Sequence, residues 1–117
     1  MVGAVLAQGQ VWWAALPAPV GSGPGFRRPV LVVQGSAFNR SRIATVVVVP
    51  LTRTLRLGVA PGNVLLEAGE TGLADDSVAN VSQIVTVDRG VLDELVGQIS
   101  ARRLALVLSG IDVVLGR

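Results

Sequence analysis

Two β-branched runs constrain this chain more than any other feature: Pro29-Val30-Leu31-Val32-Val33-Gln34 and, after a polar connector, Thr45-Val46-Val47-Val48-Val49-Pro50-Leu51. Their length and Val content read as strands. Residues 10–16, which carry two tryptophans, and residues 63–67 and 77–87 complete the set. Together they make a small, strongly bent antiparallel sheet. The connector Pro17-Ala18-Pro19-Val20-Gly21-Ser22-Gly23-Pro24-Gly25 is too rich in Pro and Gly to be regular and is expected to move. Two helices are expected after the strands. The first spans residues 89–96, with Asp88 as N-cap and Gly97 as stop; the second spans residues 101–115, with Ser100 as N-cap. The second places Leu104, Val107, Leu108, Ile111 and Leu115 on one face, and Leu106 and Val113 on others. A helix apolar on several sides is expected to sit between its own sheet and a second copy of the chain. Gly110, near its middle, implies a close approach or a break there.

At 117 residues the chain is one domain, residues 1–117, and half of it is hydrophobic. A mean hydropathy of +0.61 is high for a soluble monomer and points to a subunit interface. The longest apolar run, residues 43–51, is broken by Thr45 and Pro50 and falls well short of the ~20 residues of a membrane helix. The stretch Met1-Val2-Gly3-Ala4-Val5-Leu6-Ala7 has no positive charge before its apolar part, so the reading is cytoplasmic. There is no Cys, hence neither a disulfide nor a thiolate metal site.

The chain also lacks His, Lys and Tyr, which closes most routes to catalysis. All ten basic residues are Arg, and six of them fall between residues 27 and 56: Arg27, Arg28, Arg40, Arg42, Arg53 and Arg56. A guanidinium pairs with phosphate through two parallel hydrogen bonds and stacks on bases. Arg28 opens one apolar strand and Thr52 closes the next. A cation beside a hydroxyl suits a phosphodiester. Other constellations are thin. Gly21-Ser22-Gly23-Pro24-Gly25 has no following Lys and leads into a strand, unlike a phosphate loop. Asp75-Asp76 reads as a solvated turn without a third metal ligand. Glu67, Glu70, Asp88 and Asp93 are not brought together in pairs by their spacing.

The chain resembles the MazF/PemK family of toxin endoribonucleases. The resemblance runs over residues 9–99 and rests on a collinear succession: Gln10-Val11-Trp12-Trp13, Gly21-Ser22, Arg28-Pro29-Val30-Leu31-Val32-Val33-Gln34, Pro50-Leu51-Thr52, Pro61-Gly62-Asn63-Val64-Leu65-Leu66, Gly72-Leu73, Asp76-Ser77-Val78-Ala79 and Gln83-Ile84-Val85-Thr86-Val87-Asp88. It implies a mainly β fold with helices, an SH3-like antiparallel barrel with a C-terminal helix, assembled as a homodimer. It also implies cleavage of single-stranded RNA without metal or cofactor, and a cognate antitoxin whose acidic, disordered tail occupies the RNA groove. The family's catalytic arginine falls on Arg28, its catalytic threonine on Thr52 and its groove glutamine on Gln83. Phe26, Arg27, Arg53, Thr54 and Arg56 are then expected to contact RNA. Four departures accompany the match. Ser22 is followed by Gly23-Pro24 where the family has Glu-Gln, Thr52-Arg53-Thr54 replaces Thr-Ser-Asn, Gln8-Gly9-Gln10 replaces Arg-Gly-Asp, and Ser82 stands for an acidic residue.

Three alternatives accompany this reading. A gyrase-poisoning toxin of the same kind of fold relies on a Trp near the C-terminus, where this chain has Ile111-Asp112-Val113-Val114-Leu115. A non-catalytic SH3-like barrel, serving as an adaptor or transcriptional autoregulator, would tolerate loss of Arg28. A metal-dependent nuclease would stop in chelator. One of the two adjacent tryptophans is expected in the core and the other at the dimer or antitoxin surface, because neighbours on a strand face opposite ways.

Overall fold

A computed structural model describes residues 6–19, 21–23 and 25–117; residues 1–5, used above for the targeting reading, and Val20 and Pro24 of the first loop lie outside it. The strands are β1 (Gln10–Leu16), β2 (Phe26–Val32), β3 (Thr45–Thr52), β4 (Val64–Leu66), β5 (Ser77–Ala79), β6 (Val85–Asp88) and β7 (Leu92–Gln98). Three helices, α1 (Ser36–Asn39), α2 (Ala68–Thr71) and α3 (Ala101–Leu115), and three short 3₁₀ turns connect or close them. The antiparallel order is β4-β5-β3-β2-β1-β7, and β6 also pairs with β3. β3 is the hinge of this curl: its first half pairs with β6 (Thr45↔Asp88 to Val48↔Val85) and its last two residues with β5 (Leu51↔Ala79, Thr52↔Val78).

The Val-rich runs are continuous because both faces of β2 and β3 are buried. Val30, Val32, Val46 and Val48 pack with Trp12, Ala14 and Leu92 on one side. Leu31, Val33, Val49 and Leu51 pack on the other with Val107 and Ile111 of α3. Helix α3 has the expected bounds, and Ser100 caps it by accepting a hydrogen bond from the Arg103 N–H at 3.2 Å. Of its predicted apolar face, Val107 and Ile111 are buried and Leu104 and Leu108 partly so, whereas Leu115 is 61% exposed. Leu106 and Val113 face outward, as expected. Gly110 marks a close approach and not a break: a Cβ there would collide with the Gly62 carbonyl oxygen.

Two elements differ from expectation. The helix expected over residues 89–96 is a 3₁₀ turn, Arg89–Val91, followed by β7, which covers the edge of β1 with two register shifts. Val91, Leu92, Leu95 and Val96 fit helical spacing, but the unpaired backbone of β1 wins the segment as a strand. Asp88 still caps, with its carboxylate accepting from the Gly90 N–H at 2.7 Å. The strand expected over residues 77–87 is interrupted by the 3₁₀ turn Val81–Gln83, which moves the chain from one half of β3 to the other.

Candidate functional site

Strand register assembles the site. The β2–β3 ladder runs Val32↔Val48, Leu31↔Val49, Val30↔Pro50. Beyond the end of that ladder, Arg28 of β2 and Thr52 of β3 line the same groove. Across β1, Arg28 faces Ala14, a small residue that leaves the guanidinium room. On the far side of β3, Thr52 pairs with Val78, which brings the turn before β5 to the same end of the sheet. The result is a groove of about 510 Å³ whose lining includes Trp13, Arg27, Arg28, Thr52, Arg53, Thr54, Asp75 and Ser77.

The two neighbouring arginines differ sharply. Arg27 donates from Nε and Nη2 to Asp93 at 3.2 and 2.9 Å, and from Nη2 to Glu94 at 3.3 Å. These bonds, those to Asp93 foremost, raise its pKa above the usual arginine value. Its guanidinium carbon also lies 4.7 Å from the centre of the Trp13 ring, a cation–π distance. Arg28 is half-buried and has no carboxylate partner among the described residues. Its Nε is enclosed and makes no hydrogen bond. With no carboxylate on it, the guanidinium is left to pair with an anion that enters the groove it lines.

Thr52 Oγ1 accepts from the Thr54 N–H at 3.2 Å, which fixes the hydroxyl and leaves its proton free to donate outward. Arg53 reaches Asp75 at 3.5 Å, with both side chains largely exposed. Such a pair contributes little to stability and opens readily to a ligand.

Of the remaining expected contacts, three lie outside the groove lining. Phe26 is 66% exposed, and its φ of +59° places a non-glycine residue in the left-handed region as β2 begins. Arg56 is exposed on the 3₁₀ turn Leu55–Val59. Gln83 sits on a 3₁₀ turn and donates from Nε2 to the Ser22 carbonyl at 2.8 Å, tethering the first loop. Two groove residues escaped the sequence reading. Trp12 is the core tryptophan, 4% exposed, and Trp13, the one expected at a dimer or antitoxin surface, lines the groove itself. Asp75 is exposed as expected of a turn, but it belongs to the groove; only Asp76 serves the turn, accepting from the Ala68 N–H at 2.9 Å. The signal for both was register, since Trp13 pairs with Pro29 beside Arg28 and Asp75 precedes the strand that pairs with Thr52. Among the described residues no three His, Cys, Asp or Glu side chains form a metal-binding cluster.

The description "PemK-like, MazF-like toxin of type II toxin-antitoxin system" matches residues 7–115. The chain belongs to the PemK/MazF toxin family. It is 42% identical over 111 residues to endoribonuclease MazF6 of Mycobacterium tuberculosis, covering 95% of this chain and 97% of that protein. The crystal structure of MazF from Deinococcus radiodurans superimposes with a TM-score of 0.80 over 97% of this chain and 99% of that one, at 24% identity, so its likeness is one of fold. A MazE–MazF structure from the same organism gives a TM-score of 0.71 at 27% identity, over 97% and 98% of the two chains. The curled antiparallel sheet with a C-terminal helix is thus the MazF architecture expected from the sequence. No helix among the described residues is long and apolar enough to cross a membrane.

Proposed function

We propose that this PemK/MazF protein is an endoribonuclease toxin that cuts single-stranded RNA at short sequences, with Arg28 and Thr52 as its catalytic pair. The observation that carries the reading is Arg28, a half-buried guanidinium with no carboxylate partner among the described residues, lining the same open groove as the fixed hydroxyl of Thr52. RNA brings its own nucleophile, the 2′-hydroxyl. The protein has only to align that oxygen in line with the phosphorus and stabilise the charge that develops. Arg28 donates to the non-bridging oxygens of the phosphorane. Thr52 donates to a non-bridging oxygen or holds the 2′-hydroxyl in the attack geometry. The O2′–P bond forms as the P–O5′ bond breaks; the 2′-hydroxyl proton leaves to water and the departing 5′-oxygen takes one from water or from the Arg28 guanidinium, which water then reprotonates, leaving a 2′,3′-cyclic phosphate and a 5′-hydroxyl. Neither metal nor histidine is required by this chemistry, and DNA lacks the nucleophile.

Arg53 and Thr54 extend the groove wall for neighbouring phosphates, and Phe26, Arg56 and Gln83, outside the lining, are assigned to the strand beyond it. The proposed partners follow from the same surfaces. An acidic, disordered antitoxin tail fits a groove with an uncompensated arginine. A second copy of the chain fits the exposed apolar side chains of α3, Leu106, Val113 and Leu115.

The test is incubation with mixed-sequence single-stranded RNA in excess EDTA, beside Arg28→Ala and an all-DNA strand, with cleavage ends mapped. RNA-only cutting with 5′-hydroxyl ends, lost in the variant, is the expected result. Cutting of DNA, or equal cutting by Arg28→Ala, would sink the assignment.

A further inference from the structure

Trp13, Arg27 and Asp93 form a layered unit that the catalytic pair does not use. The Asp93 carboxylate grips the Arg27 guanidinium through two hydrogen bonds, and Glu94 adds a third. The guanidinium lies over the Trp13 ring. Trp13 and Arg27 both line the groove that holds Arg28 and Thr52. With two carboxylates on it, Arg27 is charge-compensated and oriented. It therefore offers a flat surface rather than a free cation.

We infer that the Trp13–Arg27 pair is a stacking wall on which one nucleobase of the single-stranded RNA rests beside the scissile phosphate. The inference builds on the ribonuclease reading above and adds to it a base-contacting subsite. Three physical points carry it. A single strand is bound by splayed bases stacking on aromatic rings and guanidinium planes. Trp13 lies against a guanidinium that three hydrogen bonds to Asp93 and Glu94 orient, so less side-chain entropy is lost on stacking. Asp93 and Glu94 repel a phosphate that would otherwise be drawn to Arg27, which leaves phosphate contact to Arg28 and base contact to the wall.

The chain has two tryptophans, and the other, Trp12, is in the core, so Trp13 emission reports the groove. The probe is a short 2′-O-methyl RNA of randomised sequence, which keeps the ribose shape but has no free nucleophile. Adding it to the wild-type protein should quench tryptophan emission. In Trp13→Phe the quench should vanish while most affinity remains, and Trp13→Leu should bind about 10- to 100-fold more weakly. Bound RNA without quenching, or undiminished quenching in Trp13→Phe, would overturn the wall even if Trp13→Leu fails to fold. Cleavage of unmodified RNA is followed in parallel. RNA cut without a Trp13 signal overturns this inference alone; a Trp13 signal with RNA left intact supports the wall and removes the ribonuclease reading.

Discussion

The two ends of the β2–β3 pair put the same side chain to opposite uses. At the end away from the groove, Arg89 donates to three backbone carbonyls, those of Phe38, Asn39 and Thr45, at 2.8, 3.1 and 3.4 Å. Beside it, Gln34 Nε2 donates to Asn39 Oδ1 at 3.0 Å, and Asn39 Nδ2 donates back to the Gln34 carbonyl at 2.7 Å. That end is closed by its own hydrogen bonds. At the groove end Arg28 has an enclosed Nε with no acceptor, and Arg53 has only a long, exposed contact to Asp75. The difference teaches where the protein keeps unsatisfied bonding capacity, which is what a binding site is made of.

The comparison breaks most visibly at Arg28. We predict that Arg28→Ala loses about 10²–10³ in cleavage rate, the usual cost of removing one transition-state donor, while the melting temperature stays close to the parent's. A marked loss of stability with activity retained per folded molecule would make Arg28 a second Arg89. Thr52→Val should cost roughly 10–10² in rate, by loss of one neutral donor at the same centre; single-turnover cleavage measures it, and an unchanged rate would leave Arg28 alone in the site. Arg89→Met is the mirror case: a loss of about 1–3 kcal/mol of stability in urea, from carbonyls left without their donor, with turnover per folded molecule unchanged. Wild-type stability with lost activity would reverse the contrast. The smallest effect belongs to Asp75→Asn. Freeing Arg53 for phosphate should strengthen binding by less than about 1 kcal/mol and steepen its salt dependence slightly. Weaker binding in that variant would give Asp75 a direct contact to RNA.

Sequence legibility followed the range of the interactions. Helix α3 and strand β1 were readable to the residue because spacing, N-cap and composition are local. Thr52 closes β3 as the sequence suggested, whereas β2 starts at Phe26, two residues before Arg28, because pairing with β1 extends it past the apolar run. β7 was not readable, since Leu92 and Leu95 suit either period and only the waiting edge of β1 decides. Trp13 and Asp75 were missed for the same reason in another form: their membership of the groove depends on which strands become neighbours. The role of Arg27 likewise turned on Asp93, which lies 66 residues further along.

That separation has a temporal consequence. β1 is held on one side by β2, a neighbour in the chain, and on the other by β7, whose residues run to Gln98. Contacts between such distant segments form late. During synthesis the residues of β1, β2 and β3 leave the ribosome well before the strand that fixes Arg27 and covers the edge of β1. The groove's own lining is made by the time Ser77 has been added, but Arg27 gains the carboxylates that orient it only once the chain has reached Asp93 and Glu94, so that wall is the last part of the groove to set.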